Sequence, residues 1–273
     1  MEKFDLRPPF AGLWQEKNIF AEVFALGGEE FRNVKNRRTF RIEVAGDGFF
    51  VKIHRGIGWR EIWKNLFQFK LPVTGAGNEY RALTELKKLA VPTMEIAAFG
   101  ERGCDPAKKE SFLITRELTG VESLETLALA GKITPALKCR LIRALAASAG
   151  AMHRAGINHR DCYICHYLLK TASADDFIPQ LHVIDLHRAQ IRKKVPYRYH
   201  VKDVAGLFFS ALDVPLSRRD VWRFIKLYSR AAKLKDELAA NGRFYRDVYR
   251  TAIKLYRKDF NRLPAADPFA GIL

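Results

Sequence analysis

One stretch in the second half of the chain, Gly156 to Lys170, restricts the possible fold more than any other: GINHRDCYICHYLLK. A helical period runs into it, with Leu137, Leu141, Leu145, Ala149 and Met152 on one face of a helix that Thr134 caps, Pro135 opens and Gly156 ends. Out of it runs a short apolar strand, Tyr167-Leu168-Leu169. A triplet of His159, Arg160 and Asp161 between helix and strand has the layout of a phosphotransferase catalytic loop. The same residues also spell Cys162-x-x-Cys165-His166, the spacing of a c-type haem attachment site, so two chemistries compete for one loop.

Compartment argues against haem. Covalent attachment requires export to an oxidising compartment, and the amino terminus, MEKFDLRPPFAGLWQEKN, is broken by charges and prolines where a signal peptide needs an apolar core. A zinc site would need a second ligand pair, and Cys104 and Cys139 lack that spacing. The four cysteines are therefore expected as reduced packing residues. No apolar run is long enough to span a bilayer, which leaves a cytoplasmic protein as the expectation. Against 30 Asp and Glu stand 47 Lys and Arg, a formal charge of +17. Such a surface attracts polyanions: anionic lipid, phosphorylated glycan, an acidic protein or nucleic acid.

A phosphotransferase needs more than one loop, and the rest of the chain supplies a setting. FRNVKN, TFRIEVAG and FFVKIH alternate as strands, with Asn36-Arg37-Arg38 and Gly46-Asp47-Gly48 as turns. Tyr80, Leu83 and Leu86 then recur at helical spacing between Asn78 and Leu89, and MEIAAFG and SFLITREL add two strands, five around one helix. Ahead of them, Phe4, Phe10, Leu13, Trp14, Phe20 and Phe24 form an extension expected to pack on this half. After Gly120 the pattern is helical: Lys202 to Leu212, then two long helices over about 217–239 and 243–261 parted by Asn241-Gly242. The expectation is an α+β, bilobal, protein-kinase-like fold. Its N-lobe, over 1–116, is an antiparallel sheet with one main helix; its C-lobe, over 117–273, is mostly helical and carries the catalytic loop.

Phosphoryl transfer from ATP needs a carboxylate to receive the acceptor's proton, a second to hold Mg2+ at the phosphates, and a fixed cation to orient them. Lys52 on FFVKIH is the candidate cation, with Glu79 at the start of the following helix as its ion-pair partner. Asp161 is the candidate base, flanked by His159 and Arg160, and Asp185 in VIDLH the candidate metal ligand. Asp203 in KDVAGL resembles the buried helix aspartate that braces such a loop, and Thr115, Glu117 and Leu118 form the hinge-like nucleotide edge. Taken singly each is weak; a strand lysine usually faces solvent. Their order along the chain is what carries weight.

The runs VKIHRGIGWREIWKNL, NHRDCYICHYLL, VIDLHRAQI and KDVAGLFFSALD closely resemble the lipopolysaccharide core heptose kinase family, over roughly residues 30–260. The resemblance implies ATP-dependent phosphorylation of the first heptose of the inner core, at its 4-hydroxyl, on a heptosylated lipid A-core glycolipid at the cytoplasmic face of a Gram-negative inner membrane. It makes Asp161 the base, Asp185 the Mg2+ ligand and Lys52 the phosphate-orienting residue. The anionic membrane surface becomes a partner, an acidic protein a further candidate, and nucleic acid is not expected.

Departures from the wider protein-kinase pattern are informative. Asn33-Val34-Lys35-Asn36-Arg37-Arg38-Thr39 stands in place of a glycine-rich loop, so Arg37 or Arg38 is expected to touch phosphate. His166 stands where a second metal's Asn belongs, although imidazole matches Mg2+ poorly. The run from Asp185 to Asp203 is too short for a peptide-docking segment, which disfavours a protein kinase; the missing glycines leave a non-catalytic module as the other alternative. Finally, the connection between Lys52 and Glu79 mixes Trp59, Trp63, Phe67 and Phe69 with Arg55, Arg60, Lys64 and Lys70, which suits lobe packing, a sugar platform or a membrane interface.

Overall fold

Strand alternation in the first half buries one face of a sheet, and the computed structural model, which describes residues 2–34, 36–67, 74–265 and 268–269, shows what covers it. The chain forms two compact units, residues 1–85 with 94–118 and residues 86–93 with 119–273.

In the first unit the elements run β1 (Glu2–Leu6), α1 (Phe10–Leu13), α2 (Ile19–Ala25), β2 (Glu29–Val34), β3 (Arg37–Val44), β4 (Asp47–His54), α3 (Gly58–Phe67), α4 (Gly77–Lys88), β5 (Ile96–Arg102) and β6 (Glu110–Arg116). Its six strands form one antiparallel sheet in the order β1-β5-β6-β4-β3-β2. One face presents Phe40, Ile42, Phe49, Val51, Ile53, Phe112 and Ile114, and the aromatic extension covers it with Phe10, Trp14 and Phe20, each at most 5% exposed. Burial of such rings stabilises by roughly 2–3 kcal/mol apiece. Phe10, Trp14, Phe20 and Phe24 pack as expected while Leu13 stays exposed, and the extension also supplies a sixth strand. EKFDL is too polar to signal one; its backbone pairs along β5 while its side chains stay largely outside the core.

Two turns are tighter than their sequences suggest. Ala45 (φ 53°) and Gly46 (φ 83°) alone join β3 to β4, so Asp47 and Gly48 belong to β4. Arg37 and Arg38 likewise lie within β3 rather than in the turn before it, and Lys35 lies outside the described residues.

The second unit runs β7 (Val121–Ser123), α5 (Leu124–Leu129), α6 (Pro135–Arg154), β8 (Ile157–Asn158), β9 (Tyr167–Lys170), β10 (Leu181–Val183), β11 (Gln190–Ile191), α7 (Tyr197–Ala211), α8 (Arg218–Ser229) and α9 (Leu234–Phe260). Thr134 caps α6 through the amide of Leu137, with Pro135 in the first turn. Small sheets, β10-β9-β7 and β11-β8, frame the loop that follows α6. The helical period is interrupted at Asn241, as expected, where the backbone leaves helical values and kinks α9, and a further break comes earlier, where Arg230 turns left-handed and ends α8. The apolar face of Phe244, Tyr245, Val248, Ala252 and Tyr256 holds α9 together after that kink. Among the described residues no helix is long and apolar enough to cross a membrane.

Candidate active site

In the first unit, Lys52 pairs across the sheet with Thr39 of β3 and Leu113 of β6. Directly opposed residues share a face, so Lys52 points away from the aromatic cluster. Its Nζ lies 2.6 Å from Glu79 Oε1, with Lys52 14% and Glu79 1% exposed. Charges taken this far from water persist only when paired. Glu79 Oε2 is buried with no hydrogen bond among the described residues.

Register also sorts the remaining candidates. Arg37 opposes His54 and Thr115 opposes Phe50, which places both on the Lys52 face. Arg38 points to the other face, donating to Glu30 at 2.6 Å and to the Leu26 carbonyl at 2.9 Å and lying over the Phe40 ring. Of the two arginines only Arg37 shares a face with Lys52. Glu117 accepts from Arg41 at 2.9 Å and donates its amide to the Gly48 carbonyl, fixing the backbone that leads to Leu118.

In the second unit, α6 stops at Gly156, whose φ of +77° turns the chain sharply; a Cβ there would sit 1.8 Å from the Arg192 carbonyl oxygen. Asp203 on α7 then fixes the loop. Only 1% exposed, it accepts from the amides of His159 and Arg160 at 2.5 and 2.9 Å and contacts His153 Nε2 at 3.3 Å. Arg160 takes a positive φ of 73°, which these bonds hold in place.

Two histidines tie the Asp161 loop to the segment that carries Asp185. His159 donates from Nε2 to the Ile184 carbonyl at 2.9 Å, next to Asp185. His166 donates from Nδ1 to the Asp161 carbonyl at 2.7 Å, stacks parallel to His159, and brings Nε2 to 3.7 Å from Asp185 Oδ2. Burial lowers the His159 pKa. For His166 burial acts the same way, but hydrogen bonds with Cys165 and the Asp161 carbonyl, together with the Asp185 carboxylate, raise it to about 9.

Sequence reasoning missed two partners of these carboxylates. Arg188 donates from Nη1 to Asp161 Oδ1 at 2.6 Å, and His187 Nδ1 lies 2.5 Å from Asp185 Oδ1. Both belong to a single 3-10 turn, Leu186–Arg188, that bends back beside the loop; LHR in the sequence gives the residue types but not the bend. The cysteines of the motif take different places. Cys162 is buried against Tyr167, and burial pushes its thiol pKa well up, a packing role. Cys165 is half-buried beside His166.

The donor chemistry suits Mg2+ at Asp185 and not at His166. Mg2+ is held by one or two carboxylates shared with substrate phosphates. Asp185 offers such an oxygen at 35% exposure, whereas His166 offers nitrogen and commits Nδ1 to a carbonyl.

An antiparallel sheet bearing a lysine–glutamate pair, and a helical unit bearing an aspartate loop braced from a neighbouring helix, define a kinase-like class of protein. Comparison with known proteins narrows this. Residues 21–228 match the lipopolysaccharide kinase (Kdo/WaaP) family. Lipopolysaccharide core heptose(I) kinase WaaP of Pseudomonas aeruginosa is 49% identical over 259 residues, 93% of this chain and 96% of that protein. The protein of the same description from Escherichia coli is 47% identical over 238 residues, covering 86% and 89%. A solved structure of WaaP in complex with acyl carrier protein aligns with a TM-score of 0.80 at 43% identity, over 93% of this chain and 99% of that one. The chain belongs to the lipopolysaccharide kinase (Kdo/WaaP) family, as the resemblance of its motifs implied. Membership of a kinase family implies ATP as the phosphoryl donor.

Proposed function

We propose that the protein transfers the γ-phosphoryl group of ATP to the first heptose of the lipopolysaccharide inner core, at the cytoplasmic face of the inner membrane. The observation that carries the reading is the Asp203-braced loop, which bears Asp161 and is tied through two histidines to the segment bearing Asp185, in a chain 49% identical to a heptose(I) kinase. Asp161 receives the proton of the attacking heptose hydroxyl. Arg188, hydrogen-bonded to that carboxylate, positions it and releases it when the acceptor hydroxyl takes its place. Lys52, held by Glu79, orients the phosphates, and Arg37 on the same sheet face adds a second cation to them. The backbone from Thr115 to Leu118 forms the edge against which the nucleobase rests. Held by Asp185 and the phosphates, Mg2+ would neutralise charge that builds on the transferring group.

The solved relative was captured with acyl carrier protein, and we extend to this chain a protein partner on its strongly basic surface.

The test uses purified protein, labelled ATP and heptosylated lipid A-core acceptor. Label should enter the acceptor with wild type and not with Asp161→Asn or Asp185→Asn, each still folded by circular dichroism. Near wild-type incorporation by either variant would contradict the assignment.

A further inference from the structure

The mechanism above leaves α3 unused. This helix carries Trp59, Trp63 and Phe67 at intervals of one turn, on one line along its surface. They are 50%, 54% and 79% exposed, with Leu66 beside them at 41%. Their rings follow one another at 6.5 and 6.2 Å between centroids, so the line is a continuous apolar ridge. On the adjoining line Ile62 is only 5% exposed, which fixes the rotation of the helix and keeps the ridge outward. Phe69 and Lys70 lie outside the described residues.

Leaving two indoles and a phenyl in water is costly, and contiguous exposed apolar ridges mark binding surfaces. The charges around this ridge identify its partner. Arg60 and Lys64 follow Trp59 and Trp63 on the helix flank, Arg55 is exposed just before the helix, and the helix's one acid, Glu61, lies 3.5 Å from Lys64. A further exposed apolar side chain, Val34 at 53%, stands at the end of the sheet from which α3 departs, in register with Arg37 and His54. Aromatic residues edged by cations fit the headgroup region of an anionic bilayer, where indoles straddle the apolar boundary and ammonium or guanidinium groups reach phosphate. A glycan platform would call for carboxylates or amides to hydrogen-bond sugar hydroxyls, and here the flank is cationic.

We propose that α3 is an interfacial anchor that lays Trp59, Trp63 and Phe67 into an anionic phospholipid surface, with Arg60 and Lys64 at the headgroup phosphates. Its use in catalysis rests on the preceding reading, in which the acceptor is anchored in the same membrane; the partition itself does not. The test is flotation of the full chain with vesicles of phosphatidylglycerol and phosphatidylethanolamine, and with phosphatidylcholine vesicles. Wild type should float with the first and hardly with the second. Replacing Trp63→Ser and Phe67→Ser together should weaken partition roughly tenfold or more. The pair Arg60→Glu and Lys64→Glu should weaken it by roughly fivefold per charge, and only on anionic vesicles. Both double variants should turn over lipid-free heptosylated core oligosaccharide at the wild-type rate, which also reports that they fold. Equal flotation of wild type and variants, or none for wild type, would overturn the proposal. Loss of oligosaccharide turnover with unchanged flotation would overturn it in favour of a glycan platform. Failure of wild type to phosphorylate the oligosaccharide would count against the kinase reading, and flotation would still decide the role of α3.

Discussion

Asp161, the base of the proposed mechanism, is held at three points. Its backbone carbonyl accepts from His166, its neighbours' amides are fixed by Asp203, and its Oδ1 accepts from Arg188. Asp161→Asn keeps the shape and removes the base, so kcat should drop by ~10²–10⁴ with little change in KM for ATP. Arg188→Ala should lower kcat by roughly tenfold, because the carboxylate gains freedom while its chemistry survives. Steady-state kinetics on both variants separates base from positioning residue. Glu79 is a different case. At 1% exposure it neutralises Lys52, and Glu79→Ala would leave that ammonium buried alone. We expect a loss of about 3 kcal/mol in stability by chemical denaturation, together with weakened ATP binding.

At the scale of elements, the junction of α6 and β8 controls where the loop sits. Gly156→Ala would force a left-handed φ on a residue whose Cβ meets the Arg192 carbonyl, and it should destabilise by roughly 2 kcal/mol or more. Helix α7 carries a pH response. Burial, and then His153 nearby, lower the His200 pKa from 6.5 to about 4; Lys194 acts the same way and Asp203 against it. Between these two values the unfolded chain binds more protons than the folded one, so stability falls as pH drops from about 6.5 towards 4. His159, also lowered by burial, adds to the same trend. Denaturation midpoints followed over that window should decline, and His200→Phe, which keeps packing against Phe244, should flatten the decline.

Elements also show what the sequence could and could not reveal. Helix α6, with its cap at Thr134, is legible because propensity, capping and apolar period all agree. Strand β1 is not, since Glu2–Leu6 becomes a strand only through pairing along β5. The interruption at Asn241 is legible and appears as a kink, whereas the end of α8 at Arg230 is not, since an arginine gives no signal of a left-handed turn. In the site, Lys52, Glu79 and Asp203 could be read because chemistry fixes their order and spacing. Arg188 could not, since its approach to Asp161 depends on a 3-10 turn. The side of the sheet chosen by Arg37 and Arg38 needed the register, which two adjacent arginines leave open.

For the whole molecule, the proposed membrane anchoring through α3 and a charge of +17 carry a salt dependence. Phosphorylation of acceptor held in anionic vesicles should fall steeply between about 50 mM and about 500 mM salt, while lipid-free acceptor responds less, because screening acts on long-range attraction. The central claim is that the Asp161 loop serves a heptose hydroxyl. Its most direct test is the mass of inner-core oligosaccharide from cells that lack the gene and carry either wild type or Asp161→Asn. We predict one additional phosphate on the first heptose with wild type and none with the variant. Identical masses, or a phosphate that reaches the heptose with Asp161→Asn in place, would contradict it.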